Sequence, residues 1–126
     1  MGVIFGNSMD LMKRSMDYLW EKETVLTDNI ANVDTPGYKA RYVTFEEELA
    51  KKIQEAEGDG KQAIGEAIRS SDITLHKTEN ETSRMDGNSV NVDSQMVEMT
   101  RTALQYQYAE RAFNGEANRL MAVIKG

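Results

Sequence analysis

A chain of 126 residues, 40% of them hydrophobic and with a mean hydropathy of -0.59, has room for one domain and not for a second independent core. A net charge of -6, with no segment that mixes Lys and Arg with aromatics, excludes a phosphate-tracking surface, so no nucleic-acid partner is expected. The absence of cysteine excludes disulfides, thiolate metal sites and thiol redox chemistry.

The charge is unevenly spread. Residues 1–40 carry four basic and six acidic groups, 41–89 seven and eleven, and 90–126 four and four, so the middle holds -4 of the -6. Near-neutral ends can approach other copies without strong repulsion, while an acidic middle favours solvent.

At the start, Met1 to Asn7 runs directly into charged Asp10, Lys13 and Arg14, which leaves no signal-peptide apolar core. Nor does any stretch approach the roughly 20 apolar residues of a membrane span. The expectation is residence in the cytoplasm, or export by a route that reads no cleavable signal.

From Met9 the apolar residues recur as Met9, Met12, Met16, Leu19, Leu26, Ile30 and Val33 in steps of three and four, a heptad seam interrupted at Glu23. The spacing predicts a helix over about 7–33. Asp10 with Arg14 and Lys13 with Asp17 stand one turn apart, each pair adding about 0.2 to 0.5 kcal/mol on the outer face. The helix stops at Thr35-Pro36-Gly37-Tyr38, where proline presets φ and glycine accepts positive φ, the pattern of a type II turn. Asn29, Asn32 and Asp34 can hydrogen-bond their own backbone near that end.

Thr44 followed by Glu47 reads as a capping box opening a short helix whose face is Phe45, Leu49, Ile53 and Ala56, up to Gly58-Asp59-Gly60. Residues 58–72 show no clear period, and Ile73 to His76 alternate briefly as a strand does. Asp86-Gly87-Asn88 is a turn signal before the last helix, predicted over about 93–124 with Asp93 or Ser94 as N-cap. Its seam is Val92, Met96, Met99, Ala103, Tyr106, Phe113, Ala117, Leu120 and Ile124, interrupted at Glu110.

The fold class expected is therefore mainly α. Long N- and C-terminal helices, about 40 and 48 Å at 1.5 Å per residue, form an antiparallel coiled-coil hairpin, with a short middle helix and an irregular or short β segment. In a register that pairs residue 9 with 124, Glu23 and Glu110 would face each other. The stripes are narrow for the chain they order, so packing against neighbouring copies is the natural completion. Five of the eight methionines (Met9, Met12, Met16, Met96, Met99) lie on the seams and suit adaptable packing.

No residue set reads as an active site. His76 has no second histidine or cysteine, and reads as a solvated imidazole rather than a metal ligand or base. Glu46-Glu47-Glu48 points in three directions on a helix and suits its positive N-terminus. Gly58, Gly60 and Gly65 follow no strand and meet no Lys-Ser/Thr pair, so no phosphate loop is indicated. No cofactor, metal or small-molecule substrate is expected.

Asn29-Ile30-Ala31-Asn32-Val33-Asp34-Thr35-Pro36-Gly37-Tyr38-Lys39-Ala40 resembles the signature that ends the N-terminal helix of flagellar axial proteins. The short length, Arg41-Tyr42 leading into an acidic helix, Asp86 to Asp93 before the last helix, and Gln105-Tyr106-Gln107-Tyr108 within it resemble the small proximal members of the bacterial flagellar basal-body rod protein family. About 75 of the 126 residues carry the likeness, and 58–80 do not contribute.

The resemblance implies a non-enzymatic rod subunit that polymerises through its terminal helices and transmits torque. It implies export without a cleaved signal by the flagellar type III apparatus, and an extracytoplasmic place in the basal body. The implied partners are other copies, other rod proteins, the membrane-embedded MS ring and the rod-base adaptor. It also divides the chain into a 1–40 assembly helix and turn, a variable 41–89 middle and a 90–126 assembly helix. Rival readings are another rod protein, or a cytoplasmic coiled-coil adaptor or export chaperone, for which seam, acidity and missing signal suffice.

Overall fold

The computed structural model describes residues 2–78 and 91–125. Its elements in chain order are α1 (Gly2–Ala31), β1 (Arg41–Thr44), α2 (Glu46–Ala56), α3 (Lys61–Arg69), β2 (Thr74–Lys77) and α4 (Val92–Lys125). The protein is mainly helical, with two long terminal helices and one small sheet. The turn expected at Asp86, Gly87 and Asn88 lies outside the described residues. Among those described, no helix is long and apolar enough to cross a membrane.

Alpha-1 is apolar on two flanks. Beside the seam, Leu11, Tyr18 and Val25 recur every seven residues, and this second stripe turns toward the middle of the chain. There Tyr18, Leu19 and Val25 pack with Val43, Phe45, Leu49 and Ile68, and Leu11, Ile53, Ile64 and Ile73 close the periphery. Phe45 is the centre of this core at 2% exposure, stacked on Tyr18 with ring centroids 5.5 Å apart. The middle of the chain is thus the core's other half and not an appendage.

Two short helices stand where one was expected. In α3 the apolar residues fall in adjacent pairs, Ala63-Ile64 and Ala67-Ile68, one turn apart, which gives a compact face that Gly58, Gly60 and Gly65 obscure in the sequence. That face docks on the start of α1, where Asn7 Nδ2 donates to Lys61 O at 2.9 Å. Gly65 is buried at the crossing, and a Cβ there would run into the Asn7 side chain. Asp10 and Arg14 do not pair along α1 as their spacing suggests. Arg69 Nη1 takes Asp10 Oδ2 at 3.3 Å, and the Arg14 guanidinium donates to the Arg69 carbonyl. A packed neighbour outbids an exposed pair worth a few tenths of a kcal/mol.

The expected capping box does not form either. Phe45 is the N-cap of α2 and no side chain caps it, while Thr44 Oγ1 turns to Glu48 Oε1 at 3.3 Å and His76 Nε2 at 2.8 Å. Burying Phe45 fixes the residue at the helix start, and Thr44 belongs to β1. That strand pairs antiparallel with β2 in the register Arg41 with Lys77, Tyr42 with His76, Val43 with Leu75 and Thr44 with Thr74. His76 is accordingly half-buried and stacked on its cross-strand partner Tyr42 at 4.9 Å, not freely solvated.

Alpha-4 starts one residue early, because Asn91 Oδ1 accepts the Ser94 N–H at 3.1 Å and supplies the cap, leaving Asp93 in the first turn. The helix packs along α1, and its Tyr106 and Ala109 lie against the edge of the core cluster. Its contacts pair Trp20 with Tyr106, Lys22 with Glu98, Thr27 with Met99 and Asn29 with Gln95. From Trp20 to Asn29 the partners run from Tyr106 back to Gln95, so the helices run in opposite directions where they touch. Trp20 with Tyr106 and Thr27 with Met99 each sum to 126, which places Glu110 near residue 16 and away from Glu23. The register that would have set the two glutamates face to face is not the one adopted.

Candidate assembly site at the helix turn and the outer face of the last helix

Asn29 is fully buried, at 0% exposure, and its amide uses all four of its hydrogen-bonding positions. Nδ2 donates to Arg41 O and to Gln95 Oε1, both at 2.8 Å, and Oδ1 accepts from Arg41 N and from the Tyr38 hydroxyl, both at 3.0 Å. One side chain therefore ties the end of α1 to the turn, to β1 and to the first turn of α4. The paired bonds to the Arg41 backbone reproduce what a neighbouring strand would offer, so β1 has a pairing partner on each edge at that residue.

The turn itself is built from the expected residues. Tyr38 N–H donates to Thr35 O at 3.1 Å across Pro36 and Gly37, and Gly37 has φ of +74°. Asn32 Nδ2 donates back to Asp28 O at 2.8 Å, closing the last turn of α1, and Thr35 Oγ1 donates to Asn32 Oδ1 at 3.0 Å. Ile30 is half-buried, while Ala31, Thr35, Pro36 and Gly37 face outward.

Arg41 adds an ion pair, Nη2 to Asp28 Oδ2 at 2.9 Å. Its guanidinium is held above its ordinary range first by the hydrogen bond with Tyr38 and then by the charges of Tyr38 and Asp28, against an opposing burial effect. It stays cationic at any working pH. Asp28, Arg41 and Gln95 are members of this cluster that sequence reasoning missed. Only the heptad position of Asn29 beside Leu26 and Val25 hinted that its amide would be inside, and nothing in the pattern pointed to Gln95.

The seam residues divide into two groups. Leu19 and Leu26 are buried, and Met9, Met12, Met16, Val33, Met99, Tyr106, Phe113 and Leu120 are half-buried. Met96 and Ile124 stand exposed. The outer face of α4 is more apolar than the seam suggests, for Val97, Leu104, Tyr108, Met121 and Val123 are exposed as well, Tyr108 to 76%. Met96, Val97 and Leu104 border one shallow groove with Thr100, Arg101 and Gln105. Leu104 and Tyr108 also edge a second, beside Ser15, Tyr18 and Phe45. Trp20 on α1 adds a further exposed ring at 63%. Apolar side chains that recur at helical spacing along an exposed side, as Val97, Leu104 and Tyr108 do, offer a surface for contact. Among the described residues no group of His, Asp and Glu is arranged to hold a metal.

Residues 24–39, the last turns of α1 and the turn that follows, match the family model described as flagella basal body rod protein. The chain is 35% identical over 118 residues to the flagellar basal body rod protein FlgB of Borrelia hermsii, covering 82% of this chain and 84% of that one. The protein of the same name from Bacillus subtilis strain 168 is 27% identical over 125 residues, covering 98% and 97%. That from Aeromonas hydrophila is 29% identical over 131 residues, covering 100% and 98%. The likeness thus runs from end to end, through the middle as well as the terminal helices.

Proposed function

This chain belongs to the FlgB family of flagellar basal body rod proteins, structural subunits of the rod, and from that premise we propose that it polymerises through its two terminal helices and so transmits torque. The observation that carries the proposal is the apolar surface of α4 that α1 leaves uncovered, with Val97, Leu104 and Tyr108 at helical spacing along one side and Met96, Met121, Val123 and Ile124 exposed toward the two ends of the helix. In the assembled rod that face meets the helices of neighbouring subunits, and the α1–α4 pair tightens into a heptad-packed coiled-coil hairpin. The exposed Trp20 and the half-buried methionines adapt to neighbours of different sequence.

In this reading, residues 1–40 and 90–126 are the assembly segments. Residues 41–89 are the middle region, of which the described part up to Thr78 holds α1 from its other flank and so keeps the terminal helices in register. The turn residues Asn29, Ile30, Ala31, Asn32, Thr35, Pro36, Gly37 and Tyr38, with Asp93 at the start of α4, fix the angle at which the assembly helices leave the core. The neighbours are other copies, other rod proteins, the MS ring and the rod-base adaptor, reached through the flagellar export apparatus without a cleaved signal. The place of work is the extracytoplasmic part of the basal body. The protein performs no catalysis there, and its contribution is mechanical.

Two variants test this. Leu104→Glu with Tyr108→Glu alters only exposed positions, so the purified chain should keep its unfolding midpoint while the protein disappears from isolated basal bodies and cells stop swimming. Normal recovery of the double variant in basal bodies would remove the α4 face from the interface. Gly37→Val should also block assembly with expression intact, because a β-branched residue at φ of +74° strains the turn by roughly 1 to 3 kcal/mol. Nothing lies within 4 Å of a Cβ there, so Gly37→Asn, which tolerates positive φ, should restore much of the swimming. Full motility of Gly37→Val would mean that the turn's shape is immaterial.

A further inference from the structure

The turn after α1 opens into a cationic cleft, in a chain whose net charge is -6. The cleft holds about 530 Å³ and is lined by Gly37, Tyr38, Lys39, Arg41 and Lys77, with no carboxylate among these described residues. Lys39 and Lys77 are exposed. Arg41 and Lys77 stand directly opposite each other across the β1–β2 ladder, where like charges repel. Asp28 answers Arg41 at 2.9 Å, but Lys77 is in no ion pair among the described residues. The sheet therefore carries a local repulsion that its own fold does not relieve.

The opposite imbalance lies at the other end of α1. Helix α2 ends in Glu55, followed by Glu57 at its C-cap and then Asp59, all three exposed, and its last turn has no basic residue. Carboxylates at a helix C-terminus oppose the helix dipole, and none of the three is in an ion pair among the described residues. Lys61 just beyond offsets one of these charges and leaves the tip acidic. This tip sits beside the start of α1, because the Lys61 carbonyl accepts from Asn7 Nδ2 at 2.9 Å. The cleft sits toward the far end of the same helix, because Tyr38 and Arg41 are bound to Asn29. Asn7 and Asn29 lie about 33 Å apart along one continuous helix at about 1.5 Å per residue.

Charges that are unfavourable at both ends of one axis become complementary when the end of one copy meets the start of the next. We propose that the cleft of Lys39, Arg41 and Lys77 receives the acidic tip of α2, Glu55 to Asp59, from a second copy, in a head-to-tail contact along α1. The proposal rests on the assembly reading above and gives that assembly a direction. Its two surfaces differ, so a pair of copies leaves one cleft and one tip open for further copies. The contact uses the middle of the chain and keeps the α1–α4 pair intact. Because its charges are exposed, it weakens as salt rises.

Carbodiimide, which joins an amine to a carboxylate with no spacer, tests this on the purified full-length chain. Within one chain the two ends are too far apart to be joined, so amides from Lys39 or Lys77 to Glu55, Glu57 or Asp59, identified by mass spectrometry, can only link copies. They should form at low salt and fall about tenfold or more in high salt, and equally in Lys39→Glu with Lys77→Glu. That variant should keep or raise its unfolding midpoint, since it removes the repulsion with Arg41. Adding Glu55→Lys and Glu57→Lys to the same chain exchanges the charge of both ends and should bring the links back between the exchanged positions. No link between the ends, links indifferent to salt, or no return in the exchanged chain overturns the proposal. So does binding of phosphatidylglycerol vesicles that Lys39→Glu with Lys77→Glu abolishes while no link forms between the ends, a result that assigns the cleft to a lipid headgroup. Recovery of the natural chain in basal bodies tests the rod assignment separately: where the chain is present there and the links are absent, the head-to-tail contact alone fails.

Discussion

Replacing Asn29 by leucine should lower the unfolding free energy by about 3 to 5 kcal/mol, although leucine fills nearly the same space. Four groups lose their partner at once: the Arg41 N–H and carbonyl, the Tyr38 hydroxyl and the Gln95 side chain. A stranded buried group costs about 1 to 3 kcal/mol, and the Tyr38 and Gln95 groups can partly turn to water, which holds the total below the sum. Asn29→Asp is the informative companion. It keeps both acceptor contacts and loses both donor contacts, and Gln95 can rotate its amide to donate in return. Its loss should be near half, roughly 2 kcal/mol. Urea unfolding followed by tryptophan fluorescence measures both, and equal stability of all three chains would show that the amide hub is dispensable. Because the hub joins α1, β1 and α4, its loss should also free the start of α4, visible as faster exchange of the amides around Gln95.

Phe45→Ala should be about as severe, at roughly 3 to 5 kcal/mol, through a different mechanism. The ring is 2% exposed and stacked on Tyr18, and its neighbours Val43, Leu49 and Ile68 are held by the sheet and two helices that cannot all collapse into the space left behind. A domain of this kind is stable by about 5 to 15 kcal/mol, so the variant should be partly unfolded at growth temperature. Tyr108→Ala removes a similar ring from a site exposed to 76% and should change stability by no more than about 0.5 kcal/mol. A small effect of Phe45→Ala on the unfolding midpoint would mean that the core lies elsewhere.

These two residues also show what was legible in the sequence. The three-and-four spacing of Met9 to Val33 and of Val92 to Ile124 located both long helices to within a few residues, because a seam facing one neighbour imposes a single period. Phe45 was visible as an apolar helix-face residue, but its place at the centre was not. That place follows from α1 having a second stripe of Leu11, Tyr18 and Val25, and a helix packed on two flanks shows the sum of two patterns. The α3 helix was hidden for a related reason, its nine residues being too short for a period to stand out against three nearby glycines.

The turn was readable from Pro36 and Gly37, since their φ preferences are local properties. The hub at Asn29 was not, because its partners Arg41 and Gln95 lie 12 and 66 residues away. Seam position likewise said which side of α4 is apolar without saying how much of it would remain uncovered. That depends on the register with α1, which a heptad leaves free to shift by whole turns. The shift from the expected sum of 133 to 126 is what separates Glu23 from Glu110 and leaves the residues after Leu120 exposed.

Hydrogen exchange of α4, measured once in the dilute chain and once in purified basal bodies, tests the assembly account most directly. Amides from Met96 to Val123 should exchange much faster in the free chain than those of Tyr18 to Asn29, and should become strongly protected in the basal body. If α4 is already as protected in the free chain as the α1 core, or gains no protection in the basal body, its exposed face is not the surface on which the rod is built.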